Sequence, residues 1–304
     1  MTAILDFQFE LLPTVDAADG QVFGIGADVS MDDGGFHPGA TEWATQGGHS
    51  PATGNYNFGR DKLLGPVWAW DLHVNRDEVA NALETLEGIT TAWRWLEERD
   101  TPGEITAIRY RLADRVRRVF GRPNMLEASP NNLILSGYAP VTCDFTCVDG
   151  FTYDDDEKSV ILELGTDESG GATGGLVFPV TLPTSSLPSL ASTASVVVGG
   201  TAPSYAIYRL NGPWVNPSVY TGDWILSLPD YTIPAGQYVE IDTRLWAQTV
   251  LLNGTASIGG LLGRRQKLVD AKLKPGTLEI GVGGYSPTGA ATCQVTWRDT
   301  YNSL

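Results

Sequence analysis

From residue 104 onward, apolar residues recur at every second position in short segments such as "EITAIRYRL", "RVRRVFGRP", "NLILSGYAPVTCDFTCVDGF", "SVVVGGTAPSYAIYRL", "TVLLNGTASIGG" and "TCQVTWRD", each bounded by Gly, Pro, Asn or Asp. Successive side chains of a strand point to opposite faces, so this alternation is the mark of half-buried strands. A chain built mostly of such segments closes into sandwiches or barrels. Thirty-five glycines and 18 prolines among 304 residues supply the turns. "PVWAWDLHV" follows the same rule, with Trp68, Trp70, Leu72 and Val74 on one face and Asp71 and His73 on the other. Between "TVLL" and "TASI", Asn253-Gly254 is a two-residue hairpin signal, because both residues tolerate positive φ.

One stretch is helical. Asn75 with Glu78 three residues on has the form of a capping box, and Val79, Leu83, Leu86, Ile89, Trp93 and Leu96 recur at helical spacing as a core face. "DTPGE" ends the run. Gly88 inside it costs about 1 kcal/mol relative to Ala, so packing has to hold this helix. Residues 16–66 carry ten or more glycines with little periodicity, which points to a functional loop or an arm that orders against a neighbour. The acidic "YDDDEKS" at 153–159 lacks the spacing of a calcium loop and marks a boundary. "ESGGATGG" and "LVFPVTLP" then read as flexible and extended linker. The length supports about two domains, placed at 1–155 and 156–304.

The chemistry of known sites is sparse. A formal net charge of −16 disfavours wrapping of nucleic acid, and no apolar run reaches the length of a membrane span. With no basic flank at the N-terminus, the chain is expected to fold in solution. Cys143, Cys147 and Cys293 fit neither a disulfide framework nor a zinc site and are expected as buried thiols. His37, His49 and His73 are scattered, and "FGIGAD" lacks the third glycine of a dinucleotide fingerprint. In "IPAGQYVEIDTR", Glu240 and Asp242 alternate on one strand at a separation compatible with a glycosidase pair, but they project in parallel from one face, with Arg244 next to neutralise them. Val239, Ile241 and Thr243 are expected to face the core. No catalytic, metal or cofactor residues are assigned.

Arg94, Arg99, Arg109, Arg111, Arg115, Arg117, Arg118 and Arg122 place eight of the 20 basic residues within 29 positions. They are either paired with the protein's own acids or form a surface that meets an anionic partner by charge alone. Arg109, Arg111, Arg115, Arg117 and Arg118 are the candidates for a lumen or interface face. On that reading, reversal of Arg115, Arg117 and Arg118 to Glu leaves the monomer folded.

"VTCDFTCVDGFTYDD" resembles the segment that ends the N-terminal domain in distal tail proteins of siphophages; where that family has a proline after the acid, this chain has Gly150. "LVFPVTLP" is similar to its inter-domain linker, and "IPAGQYVEIDTR", "VLLNG" and "KPGTLEIGVGG" resemble its C-terminal domain. "FGRDKLLGPVWAWDLHVN" and "VRRVFGRP" add a likeness to minor tail proteins of phages that infect actinobacteria. The likeness runs from about residue 58 to the end. It implies an all-β chain with one substantial helix, made of an N-terminal split β-barrel and a C-terminal galectin-like β-sandwich. It further implies a structural virion protein that forms a homohexameric ring at the distal end of a long non-contractile tail, with no enzyme activity and no cofactor. Its partners would be other copies, the tail tube protein, the tail tip or baseplate hub protein and the tape measure protein. No sequence-specific nucleic acid and no membrane insertion are expected, and assembly would take place in the host cytoplasm. The alternative is a carbohydrate-binding sandwich for host-surface adhesion, with Trp214, Tyr220, Trp224 and Tyr231 as glycan-contact aromatics.

Overall fold

The computed structural model describes all residues except 1–3, 16, 60, 95–100, 102, 130–131 and 165–191. The chain is mostly β with one long helix. It divides into two compact units, Met1–Asp155 together with Tyr301–Leu304, and Asp156–Thr300. The last four residues therefore belong to the first unit, not to the second as the sequence boundary has it. The linker segments "ESGGATGG" and "LVFPVTLP" lie outside the described residues.

The first unit is built on β1 (Gln8–Leu12), β2 (Gln21–Gly24), β3 (Val29–His37), an arm of β4 (Glu42–Ala44), β5 (Gly47–His49), β6 (Tyr56–Phe58) and β7 (Lys62–Leu64), then β8 (Val67–Asn75), α1 (Val79–Arg94), β9 (Thr106–Leu112), β10 (Arg115–Ala128), β11 (Tyr138–Cys147) and β12 (Thr152–Asp154). The main sheet runs β2-β1-β9-β10-β11-β8-β3, with β12 on β10. Neighbouring strands lie about 4.8 Å apart, so β1 and β8, four steps apart, would be separated by roughly 19 Å in a flat sheet. The rings of Phe9 on β1 and Trp70 on β8 are 5.4 Å apart, and Phe9 and Phe36 on β3 are 4.8 Å apart. The sheet therefore curls around its own core. Among the described residues its end strands β2 and β3 are not paired with each other, so it stays open.

Helix α1 fills the curl. It buries Ala82, Leu86, Ile89 and Trp93, and Trp93 meets Phe23 at 5.8 Å and Trp70 at 6.1 Å edge-on. The helix begins later than the capping signal implies. Asn75 is the last residue of β8 and pairs with Tyr138, so the strand claims it. The first turn is set instead by Ala82 N–H donating to Glu78 O at 3.0 Å. Leu83 is largely exposed, and Leu96 lies outside the described residues.

The second unit is a pair of sheets around one core. The first sheet is β13 (Lys158–Glu163), β25 (Thr292–Trp297), β16 (Ile207–Asn211), β20 (Tyr238–Asp242), β21 (Thr249–Leu252) and β22 (Ala256–Ser257), in that order. The second is β14 (Ser192–Val198), β24 (Gly276–Tyr285), β17 (Trp214–Tyr220) and β18 (Ile225–Ser227), with β19 (Thr232–Ile233) also on β17. A short pair, β15 (Ser204–Tyr205) and β23 (Lys272–Leu273), completes it. Alternate residues from both sheets, among them Tyr208, Leu210, Val239, Ile241, Val219, Ile280 and Val295, form the shared core of a sandwich. Asn253 and Gly254 do take positive φ, 51° and 74°, but Leu252 pairs with Ala256, so the loop has three residues.

All three cysteines are free and buried, and burial pushes each thiol up. No described helix is long and apolar enough to cross a membrane. Among the described residues no group of His, Cys, Asp and Glu is placed to hold a metal ion.

Candidate functional site

The last part of the glycine-rich region, after β3, is a hairpin. β4 pairs with β7 and β5 with β6, with Trp43 opposite Leu63 and His49 opposite Tyr56, so the described residues of 42–64 form a two-stranded ribbon with its turn at 50–55. Its backbone is satisfied internally: Ser50 N–H donates to Asn55 O at 2.8 Å, and Gly54 N–H to Ser50 O at 2.8 Å. Its side chains are not covered. Trp43 is 61% exposed, Tyr56 41% and Phe58 77%. Tyr56 meets His49 at 5.2 Å and Phe58 at 4.8 Å, a ladder of rings with no core behind it. Two-stranded ribbons alone are marginally stable in water, and clustered exposed aromatics mark contact surfaces.

The root of this arm is fitted closely to the first unit. A Cβ at Gly65 would stand 2.0 Å from the carbonyl oxygen of Cys147, so only glycine lets the returning strand pass there. At Gly150, the position where the resembled family has proline, a Cβ would lie 2.6 Å from side-chain atoms of Leu63 and Thr41. The 149–151 turn is thus the seat of the arm. Asp149 lies in this seat, beside a cavity of about 290 Å³ that also touches Gly39, Thr41, Trp68 and Phe151. Its carboxylate accepts from Tyr153 OH at 2.6 Å and Phe151 N–H at 3.0 Å. Burial outweighs both hydrogen bonds and pushes its pKa up to about 6. In the sequence Asp149 stands out only as the acid before Gly150, with no sign of its burial.

The arginine cluster requires a correction. Arg109, Arg117 and Arg118 are buried in the first unit instead of facing a lumen. Register aligns Glu10 on β1, Arg109 on β9 and Arg118 on β10 in one row. Arg109 meets Glu10 at 2.5 Å and Asp155 at 3.7 Å, and Arg118 meets Asp155 at 2.5 Å. Arg118 also donates to Val15 O at 2.9 Å, and Gly20 N–H donates to Glu10 at 2.7 Å, so Val15 and Gly20 close off the row. Arg117 lies 3.7 Å over the Tyr301 ring and donates to Ser303 O at 2.7 Å. Two carboxylates for two guanidiniums make the Glu10–Arg109–Asp155–Arg118 row neutral, which is what lets it be buried. Arg111 is half-buried and pairs with Asp114 at 2.6 Å, and Arg115 is exposed. Reversal of Arg115, Arg117 and Arg118 together would therefore break the fold, not spare it. Arg94 is exposed, Arg122 donates to Thr101 O at 2.9 Å, and Arg99 is outside the described residues.

The other sequence candidates do not converge either. Val239, Ile241 and Thr243 face the core as expected, but Asp242 is buried and ion-paired with Arg244 at 2.6 Å, leaving Glu240 alone on the outer face. The four aromatics do not share a face. Trp214 is fully buried, its Nε1 donating to Gly283 O at 3.1 Å. Trp224 and Tyr231 pack on the same core, and Trp224 Nε1 donates to Lys272 O at 2.9 Å. Only Tyr220 stands outside, over Gly281. The alternation on β17 and the core's need for large rings turn Trp214 fully inward and leave Trp224 and Tyr231 partly covered.

No family model matches the chain, and no curated protein matches it. Solved structures do. The Dit protein of phage SPP1, described as a paradigm of the hub adsorption apparatus in phages that infect Gram-positive bacteria, aligns with a TM-score of 0.52 at 11% identity over 96% of this chain and 98% of that one. The phage P2 baseplate in its activated conformation with Ca aligns at 0.48 and 10% identity, over 95% of this chain and 97% of that one. At these identities the first likeness is one of fold.

Proposed function

We propose that this chain is a structural component of a phage tail tip, a distal tail protein that forms a closed ring of six copies between the tail tube and the tip or baseplate hub. The observation that supports the reading best is a fold likeness to a hub adsorption protein that spans nearly all of both chains. The arm gives it a physical route. A ribbon with exposed rings on one copy needs a surface on another, and a head-to-tail contact between identical chains stays finite only where its rotation closes. A neighbour's backbone or apolar side chains would cover Trp43, Tyr56 and Phe58 and supply the stability that the ribbon lacks alone. The role needs no turnover. The tail tube, the hub and the tape measure protein are the partners that fit it, with the virion tail as its location.

Light scattering tests this directly. Six copies of 32.7 kDa give a particle of about 196 kDa. A chain in which residues 42–64 are replaced by a short Gly-Ser turn is expected to stay at the monomer mass with an unchanged circular dichroism signature for the remaining sheets. A truncated chain that still forms the ring would remove the arm from the contact, and a particle of another copy number would overturn the hexamer.

A further inference from the structure

We propose that the loop Gly263–Lys267 of the second unit is a docking site for a short acidic segment of another protein. The chain has 36 acidic residues against 20 basic ones, yet Arg264, Arg265 and Lys267 stand exposed side by side with no ion pair or side-chain hydrogen bond to any described residue. Exposed cations ordinarily sit in water and need no partner. What sets this loop apart is how firmly it is held. Gln266 grips β18 twice: its Oε1 accepts from Ser227 N–H at 2.8 Å, and its Nε2 donates to Ser227 Oγ at 2.8 Å. Gly263 N–H donates to Ser227 O at 2.9 Å, and Gln266 N–H closes the turn onto Gly263 O at 3.1 Å. A Cβ at Gly263 would lie 2.5 Å from Gln266 Nε2, so glycine belongs at the root. The two arginines are the central residues of this turn. Arg265 takes a φ of 68°, the left-handed region in which a turn prefers Gly or Asn. Strain of this kind persists only where the surroundings fix it, and it collects at ligand clamps.

The turn thus presents two guanidiniums and an ammonium on a backbone that is already fixed, so little ordering is left for a partner to impose. Charge and size select the partner. A long polyanion would run past these few residues onto a chain whose net charge is −16 and would be repelled there. A run of about three Asp or Glu residues matches the loop and ends with it. Arg264 and Arg265 can each take one carboxylate through two parallel N–H donors, and Lys267 can take another as a point charge. The site shares no residue with the arm and does not depend on ring assembly.

Fluorescence anisotropy of a labelled hexaglutamate peptide with the full-length chain tests it, with labelled inorganic polyphosphate run beside it. Hexaglutamate should bind at low salt and lose affinity as salt rises. Arg264→Ala and Arg265→Ala together should weaken it tenfold or more, while Arg115→Ala, at an exposed arginine of the first unit, should bind as the native chain does. Arg265→Gly separates docking from folding: glycine suits the positive φ, so the thermal unfolding midpoint should rise while peptide affinity falls about fivefold. The assignment is overturned by no binding of hexaglutamate, by tighter binding of polyphosphate than of the peptide, or by an equal loss in Arg115→Ala. An Arg265→Gly chain that is less stable than the native one, or that binds unchanged, would overturn it too. Peptide binding is read separately from particle mass, so failure of the ring and failure of this site cannot be confused.

Discussion

Asp155→Ala is expected to lower the stability of the first unit by about 3–5 kcal/mol, because it leaves buried cations without their counter-charge. Asp155 accepts from Arg118 Nε at 3.0 Å and Nη2 at 2.5 Å and lies 3.7 Å from Arg109, both guanidiniums being almost fully enclosed. Glu10 neutralises one of them, and Asp155 is the counter-charge of the other. Asp155→Asn keeps an acceptor but not the charge and should fall between the native chain and the alanine variant. Denaturant unfolding followed by tryptophan fluorescence would resolve this, since Trp68, Trp70 and Trp93 report on the first core and Trp214 and Trp224 on the second. The transition of the first unit should move and that of the second should not. A loss below about 1 kcal/mol would mean that the row behaves as an exposed pair does, and the buried-ladder account would fail.

That row also shows where the sequence was legible and where it was not. Strand periodicity placed Trp68, Trp70, Leu72 and Val74 inside, and Val239 and Ile241 likewise, because alternation depends only on the geometry of one strand. The arginines of β9 and β10 alternate as cleanly, yet a pattern within one strand does not say what covers its polar face. Glu10 is 99 residues from Arg109, and register across β1, β9 and β10 brings them together. The same gap hid the pairing within the arm: glycines masked a period that appears only when Trp43 is set against Leu63 and His49 against Tyr56. Asn75 was misread for the opposite reason, since a good cap lost its residue to a strand that continued through it. The four aromatics do not share one face, because the demand of a sandwich core for large side chains takes Trp214 inward and leaves Tyr220 outside, a difference invisible until the faces are known.

The seat of the arm should respond to pH with a definite sign. Asp149 has its pKa raised from 3.8 to about 6 chiefly by burial, against the hydrogen bonds from Tyr153 and Phe151. The folded state therefore holds its proton more tightly than the unfolded chain does, and stability must fall as pH rises from about 4 to about 6, then level off. Each tenfold change in proton affinity between the two states is worth about 1.4 kcal/mol, so the full change is about 3 kcal/mol. The cysteines nearby stay protonated throughout, and no arginine or lysine is paired with Asp149 among the described residues. Asp149→Asn cannot ionise, so its stability should exceed that of the native chain by a margin that grows by about that amount between pH 4 and pH 7. Unfolding free energies of the two chains across this range are the measurement. Parallel profiles would show that Asp149 ionises in the folded state as it does in water, and the closed seat beneath residues 41 and 63 would then have to admit solvent.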